Sequence, residues 1–202
     1  MRLIGMTGGP GMGKSSAAAI FRDRGIPVVD TDDLAREVVK PGTPGLAEVR
    51  QAFGDACLQA DGALDRKALA QLIFRDPEAR ARIEALLHPR IRELWQEQAR
   101  VWTESGVPVG IVVIPLLFET DAAAQFWKTA CVACSGPTQH RRLLTRGWSS
   151  EEIRGRVAAQ WPADRKMQAA DWVIWTEGSQ RILAAQLDML MVYCRETNNC
   201  LH

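Results

Sequence analysis

Near the amino terminus, the segment Gly8-Gly9-Pro10-Gly11-Met12-Gly13-Lys14-Ser15 fits the spacing G-x-x-x-x-G-K-S. An apolar run, Leu3-Ile4-Gly5-Met6, precedes it, and a helix-like stretch, Ser16-Ala17-Ala18-Ala19-Ile20-Phe21, follows. Strand, glycine loop, helix is the context that separates a phosphate-binding loop from a chance match. The glycines let backbone N–H groups turn toward phosphate oxygens, and the helix N-terminus adds positive potential. Lys14 can then reach the β- and γ-phosphates, and the Ser15 hydroxyl can hold Mg²⁺. Gly11, Met12, Gly13, Lys14, Ser15 and Ser16 are therefore the expected nucleotide-binding stretch.

The rest of the chain fits that beginning. Apolar runs at residues 3–7, 26–29, 109–115, 129–133 and 172–175 read as strands with helical segments between them. Alternation of this kind predicts an α/β fold, a parallel five-stranded sheet covered on both faces. Residues 31–107 form a long, nearly all-helical insertion. In it Asp76-Pro77 reads as an N-cap followed by proline at the first helical position. Ile83, Leu86, Leu87, Ile91, Leu94 and Trp95 then recur at helical spacing as core, and Pro89 is expected to kink or restart the helix. Residues 138–170 are arginine-rich and suit a lid. The nucleotide core is thus residues 1–30, 108–137 and 171–194, with a closing helix over 180–193 and a frayed polar tail over 195–202.

Composition excludes several classes. With Lys plus Arg at 25 against Asp plus Glu at 24, the 202-residue chain lacks the basic excess of a nucleic-acid binder. No apolar stretch reaches the ~18 residues of a membrane span, and no amino-terminal signal pattern is present. The 5 cysteines are scattered and odd in number, which points to a reducing, cytoplasmic setting rather than a disulfide framework. Cys131-Val132-Ala133-Cys134 is a C-x-x-C without a second pair at zinc spacing, so a buried structural role is expected for it. Oligomeric state is not legible.

A phosphate loop names a site, not a reaction. The base-reading Asn-Lys-x-Asp of a Ras-like GTPase is absent, since the sole asparagines are Asn198 and Asn199. The strand over 111–114 runs into Pro115-Leu116-Leu117-Phe118-Glu119, not the Asp-Glu of a motor-type ATPase. A G-x-G-x-x-G dinucleotide pattern breaks at Lys14. A small kinase with a basic lid remains. Such a kinase needs a carboxylate to receive or orient the acceptor's proton. Val28-Val29-Asp30-Thr31-Asp32 supplies two at the end of a strand, where ligands of open parallel sheets sit. If the strand persists, Asp30 and Asp32 share a face. Asp33 reads as an alternative N-cap for the next helix.

At this point the chain resembles the dephospho-coenzyme A kinase family. The resemblance rests on Gly5-Met6-Thr7-Gly8-Gly9 into the loop and on Asp30-Thr31-Asp32 with Arg36. Phe53-Gly54 and Asp61-Gly62-Ala63-Leu64-Asp65-Arg66 extend it, as do His88-Pro89-Arg90-Ile91 and Pro115-Leu116-Leu117-Phe118-Glu119. Gln139, Arg142, Arg146, Arg156, Gln160 and Ala170-Asp171 complete it. It implies a P-loop kinase fold with a helical substrate insertion. It also implies transfer from ATP, with Mg²⁺, to the ribose 3′-hydroxyl of dephospho-CoA. In the roles it implies, Asp32 is general base or hydroxyl orienter. Lys14, Arg142 and Arg146 hold the phosphates, Ser15 ligates the metal, and Thr7, Arg36, His88 and Glu119 frame the acceptor. Two departures stand out: Thr176 replaces the family's Asn after the last strand, and Pro10 replaces an aliphatic residue in the loop.

Overall fold

The computed structural model describes residues 1–196, without the side chains of Phe74 and Arg75. The remainder of the expected tail, 197–202, lies outside the described residues. The chain divides into two compact units, residues 1–30 with 102–202, and residues 31–101.

The first unit opens with β1 (Arg2–Thr7), the glycine loop, α1 (Lys14–Asp23) and β2 (Val28–Asp30). The second unit holds α2 (Thr31–Val38), α3 (Pro44–Phe53), a 3₁₀ turn, α4 (Arg66–Arg75) and most of α5 (Pro77–Glu104). The first unit resumes with β3 (Val109–Val113), β4 (Lys128–Ala133), α6 (Gly136–Thr145), α7 (Ser150–Ala158), α8 (Ala163–Ala169), β5 (Trp172–Trp175) and α9 (Gln180–Glu196).

All five strands are parallel, in the order β2-β3-β1-β4-β5. Side chains alternate across the sheet, as the two-residue period requires. Ile4, Met6, Ile111, Val113, Ala130 and Val132 pack on Ala17, Ala18 and Phe21 of α1 and Leu183, Leu187 and Leu190 of α9. On the other face, Gly5 lies beneath Phe126 and Leu117, and Trp102 lies against Gly110. Both faces of β1, β3 and β4 are covered, as expected of a parallel sheet flanked by helices, whereas Val173 and Trp175 on the outer strand β5 are exposed. At the β5 edge, the Gln186 carboxamide accepts from Trp175 N at 2.9 Å and donates to Trp175 O at 2.8 Å. It occupies two groups that an incoming strand would otherwise use.

In the second unit, Thr43 caps α3, with Pro44 at its first position, and Asp65 caps α4 by accepting from the N–H groups of Lys67 and Ala68. Asp76 caps α5 as the sequence indicates, accepting from Glu78 N at 2.9 Å and Ala79 N at 3.1 Å. Val38, Val49, Leu64, Leu69 and Ile83 form the unit's core, with Leu87 and Ile91 against it.

Five local expectations are corrected. The helix does not restart at Pro89, which sits inside α5. Proline removes one i→i−4 bond. Leu87 and Ile91 hold both sides of it on the same core, and Arg90 pairs with Glu48. Leu94 is 42% exposed, because the buried stripe steps by four through Ile83, Leu87, Ile91 and Trp95. Asp33 is not a cap: α2 already begins at Thr31, so Asp33 lies in its first turn and Asp32 is helical rather than on an extended strand. Trp102 and the residues after it belong to the first unit, not to the insertion. Finally, Arg195 and Glu196 continue α9.

Candidate active site

β1 lies at the centre of the sheet, between β3 and β4. Chain connections therefore leave its carboxyl end in opposite directions, which opens a crevice there. The glycine loop occupies that crevice. Gly8 has φ +149°, and a Cβ on it would meet Val132 O at 2.3 Å. Gly13 has φ +101°, and a Cβ there would meet the Thr176 side chain at 2.9 Å. Both positions need a residue without a side chain, for backbone angle and for space.

Lys14 is the first residue of α1, and its Nζ donates to Gly8 O at 2.7 Å and Gly9 O at 3.1 Å. Its ammonium is thus curled over the loop whose N–H groups it accompanies. Ser15 and Ser16 are exposed in the first turn of α1. The α1 amino end carries the positive end of the helix dipole toward the same place.

The helix α6 closes against the loop. Its Ser135 cap accepts from Thr138 N at 3.4 Å. Gln139 is buried and donates Nε2–H to Pro10 O at 2.8 Å, so proline's carbonyl is used although its N–H is missing. Arg142 donates to Thr176 Oγ1 at 2.8 Å and Thr176 O at 2.6 Å, and reaches Gly11 O at 3.4 Å. Arg146 is exposed at the C-cap of α6. Gly11, Gly13, Ser16, Arg142, Arg146 and Thr176 line a cavity of about 440 Å³. That volume suits a nucleoside-sized ligand. Thr7, at the end of β1, and Cys131 and Cys134, in and just after β4, are buried. Thr7 is fully buried and donates to Pro115 O at 3.1 Å. Burial pushes the Cys131 thiol up to about 11 and raises that of Cys134, whose Sγ lies 3.5 Å from Met12 Sδ. The C-x-x-C is packing beneath the loop.

Glu119 follows β3. Its Oε1 accepts from Trp161 N at 2.8 Å and pairs with Lys166 Nζ at 2.9 Å. Lys166 is completely buried, and it also donates to Pro115 O at 2.5 Å and Gln160 Oε1 at 3.2 Å. Lys166, within the stretch expected to form the lid, is therefore an internal tether between α8 and the segment after β3. Nothing in its local pattern marks it, because a surface lysine on a short helix looks the same. The useful signal is the buried acid at Glu119, which needs a cation. Replacing Lys166 by Met would strand that carboxylate, already short of a partner at Oε2. Lys166→Met should lower unfolding free energy by about 3 kcal/mol. Denaturant titration checks this, and adding Glu119→Gln should recover part of the loss.

A second anchor holds the start of α6. Glu177 accepts from the Ser135 hydroxyl and from Ser135 N at 3.0 Å. Bonds from the Ser135 and Thr138 side chains pull its carboxyl down from 4.5 to about 2. A carboxyl held low in the folded state adds stability above its unfolded value, and that addition disappears as pH falls from about 4.5 to about 2. Glu177→Gln should flatten the acid limb of the stability curve in that window. An unchanged limb would remove Glu177 from this role.

Among the expected site residues, the first unit thus brings together Gly11, Met12, Gly13, Lys14, Ser15, Ser16, Arg142 and Arg146 around the loop, with Thr7 beneath it. Glu119 turns to Lys166. In the second unit, Asp32 and Arg36 stand one helical turn apart on α2, where Arg36 pairs with Asp33 at 2.8 Å. His88 is half-buried midway along α5.

A glycine loop on a central parallel strand, backed by a lysine and closed by an arginine helix, defines the class: a P-loop kinase fold. The comparisons carry this further. The dephospho-CoA kinase family profile matches residues 2–181. A dephospho-CoA kinase of Bdellovibrio bacteriovorus is 43% identical over 199 residues, 98% of this chain and 99% of its own. A dephospho-CoA kinase of Anaeromyxobacter dehalogenans is 43% identical over 196 residues, 96% of this chain and 93% of its own. A solved structure from Thermus thermophilus is 36% identical, with a TM-score of 0.81 over 95% of this chain and 97% of that one. The chain belongs to the dephospho-CoA kinase family.

Proposed function

We infer that this chain transfers the γ-phosphoryl group of ATP to the ribose 3′-hydroxyl of dephospho-CoA, giving coenzyme A and ADP, the last step of CoA biosynthesis. The observation that carries the reading is the span of the family match, residues 2–181, which takes in the glycine loop, the helical insertion and the arginine helix alike.

In this mechanism the loop N–H groups and Lys14 grip the triphosphate, and Arg142 and Arg146 meet its charge from α6. Asp32 accepts the proton of the 3′-hydroxyl. The 3′-oxygen bonds to the γ-phosphorus, the bond from that phosphorus to the β–γ bridging oxygen breaks, and ADP leaves with the electron pair. Thr7, Arg36, His88 and Glu119 are the residues we assign to the acceptor. Ser15 suits Mg²⁺: its hydroxyl is a hard oxygen donor at the loop's mouth. Among the described residues no group of three or more His, Cys, Asp or Glu could hold a metal. When bound at Ser15, Mg²⁺ would neutralise charge on the phosphoryl oxygens. We place the reaction in the cytoplasm. Among the described residues the cysteines are free, and no helix is long and apolar enough to cross a membrane.

The test is ADP release coupled to a panel of acceptors: dephospho-CoA, shikimate, gluconate and nucleoside monophosphates. Turnover with dephospho-CoA, giving a product that co-migrates with coenzyme A, is the expected result. Turnover with another acceptor and none with dephospho-CoA would overturn it.

A further inference from the structure

We propose that Thr176 is a positioning residue for the nucleotide, setting the direction of one loop N–H donor and the place of Arg142. The inference rests on ATP as the phosphoryl donor. It concerns the position where the family resemblance leads one to expect asparagine.

Thr176 follows β5 and is 6% exposed. Its backbone is fixed: Thr176 N donates to Ala133 O at 2.8 Å, continuing the register of β5 on β4. Its hydroxyl has one proton and lies 2.7 Å from Met12 O and 3.2 Å from Ala133 O. Ala133 O already has the Thr176 N–H, so the proton goes to the nearer Met12 O. The oxygen's lone pairs then accept from Arg142 Nη1 at 2.8 Å, while Arg142 Nη2 holds Thr176 O at 2.6 Å. One buried hydroxyl therefore joins the glycine loop, the end of the sheet and the arginine helix.

The consequence for the loop follows from peptide geometry. Among the described residues no peptide bond is cis. In a planar trans peptide, the C=O of one residue and the N–H of the next point in opposite directions. Pinning Met12 C=O onto Thr176 therefore turns the Gly13 N–H away from Thr176. Gly13 sits at φ +101° directly against the Thr176 side chain, and it is the N-cap of α1, where the helix presents its donors to an anion. The same hydroxyl also fixes the guanidinium of Arg142, whose planar fork is committed to Thr176 on two atoms. Thr176 touches no reacting atom in this account. It acts through Gly13 and Arg142.

The decisive comparison is Thr176→Val against Thr176→Ser. Valine keeps the volume and removes the hydroxyl, whereas serine keeps the hydroxyl. ATP binding is measured by isothermal titration calorimetry without acceptor, and KM is measured separately for ATP and dephospho-CoA. Thr176→Val should weaken ATP binding about tenfold or more, the scale of a lost hydrogen bond to a charged group, with a smaller change in the KM for dephospho-CoA. Thr176→Ser should stay near the parent protein. The inference is overturned if valine leaves ATP binding within about twofold, or if both substrates lose equally, which is the signature of general loosening. Should a thermal melt show that Thr176→Val does not fold, Thr176→Ala against Thr176→Ser carries the same comparison. A parent protein that binds no ATP would instead defeat the nucleotide reading itself, a result distinct from any difference among the variants.

Discussion

Lys14→Met is expected to lower phosphoryl transfer about a thousandfold. Lys14 begins α1, so its backbone belongs to the cluster of donors at the helix end. Its ammonium lies across the loop, bonded to Gly8 O and Gly9 O. Those carbonyl contacts hold the ammonium over the glycine loop. Methionine keeps the stem and loses the charge, so the change tests electrostatics rather than packing. Transition-state charge builds on the β–γ bridge and on the γ-oxygens, the atoms to which we assign the ammonium. The loss should therefore fall mainly on kcat, with a smaller weakening of ATP binding and a thermal midpoint close to that of the parent. Activity within tenfold of the parent would contradict the assignment of the loop.

The loop was legible because its chemistry is local. Glycines at fixed offsets, a lysine and a serine must follow one strand and open one helix, and all of that lies within residues 3–21. The parallel sheet was legible for a related reason: its strands are unbroken apolar runs, and the runs expected at 109–115 and 172–175 contain β3 (Val109–Val113) and β5 (Trp172–Trp175). Strand order is different. That β1 sits between β3 and β4 depends on crossovers, which no run of residues spells out.

The less legible features depend on partners distant in the chain. Lys166 looks like any exposed lysine until Glu119, across the first unit, claims it. Thr176 looks like a deviation from a family pattern until Met12 and Arg142 converge on its hydroxyl. Glu177 gains its meaning from Ser135, where α6 begins. Leu94 and Pro89 show the converse problem. Both follow sound local rules, yet the stripe by fours through Ile83, Leu87 and Ile91 decides which positions of α5 are covered and keeps the helix whole across the proline.

The start of α2 shapes the remaining strong expectation. β2 ends at Asp30, in register with Val113 of β3, and the helix begins with the next residue. Asp32 therefore stands in the first turn of α2, directly after the end of β2. Its carboxylate is the group we assign to the proton of the ribose 3′-hydroxyl. Asparagine has nearly the same shape and still accepts a hydrogen bond, but it cannot take up a proton at neutral pH. Asp32→Asn should lower kcat about a hundred- to ten-thousandfold while ATP binding is kept, since general-base assistance contributes on that scale. Arg36, one turn further along α2, gives the contrast. A residue that only grips the acceptor should raise the KM for dephospho-CoA more than it lowers kcat, so Arg36→Met and Asp32→Asn should separate on those two axes. An Asp32→Asn enzyme that turns over at the parent rate would remove Asp32 from the role of base.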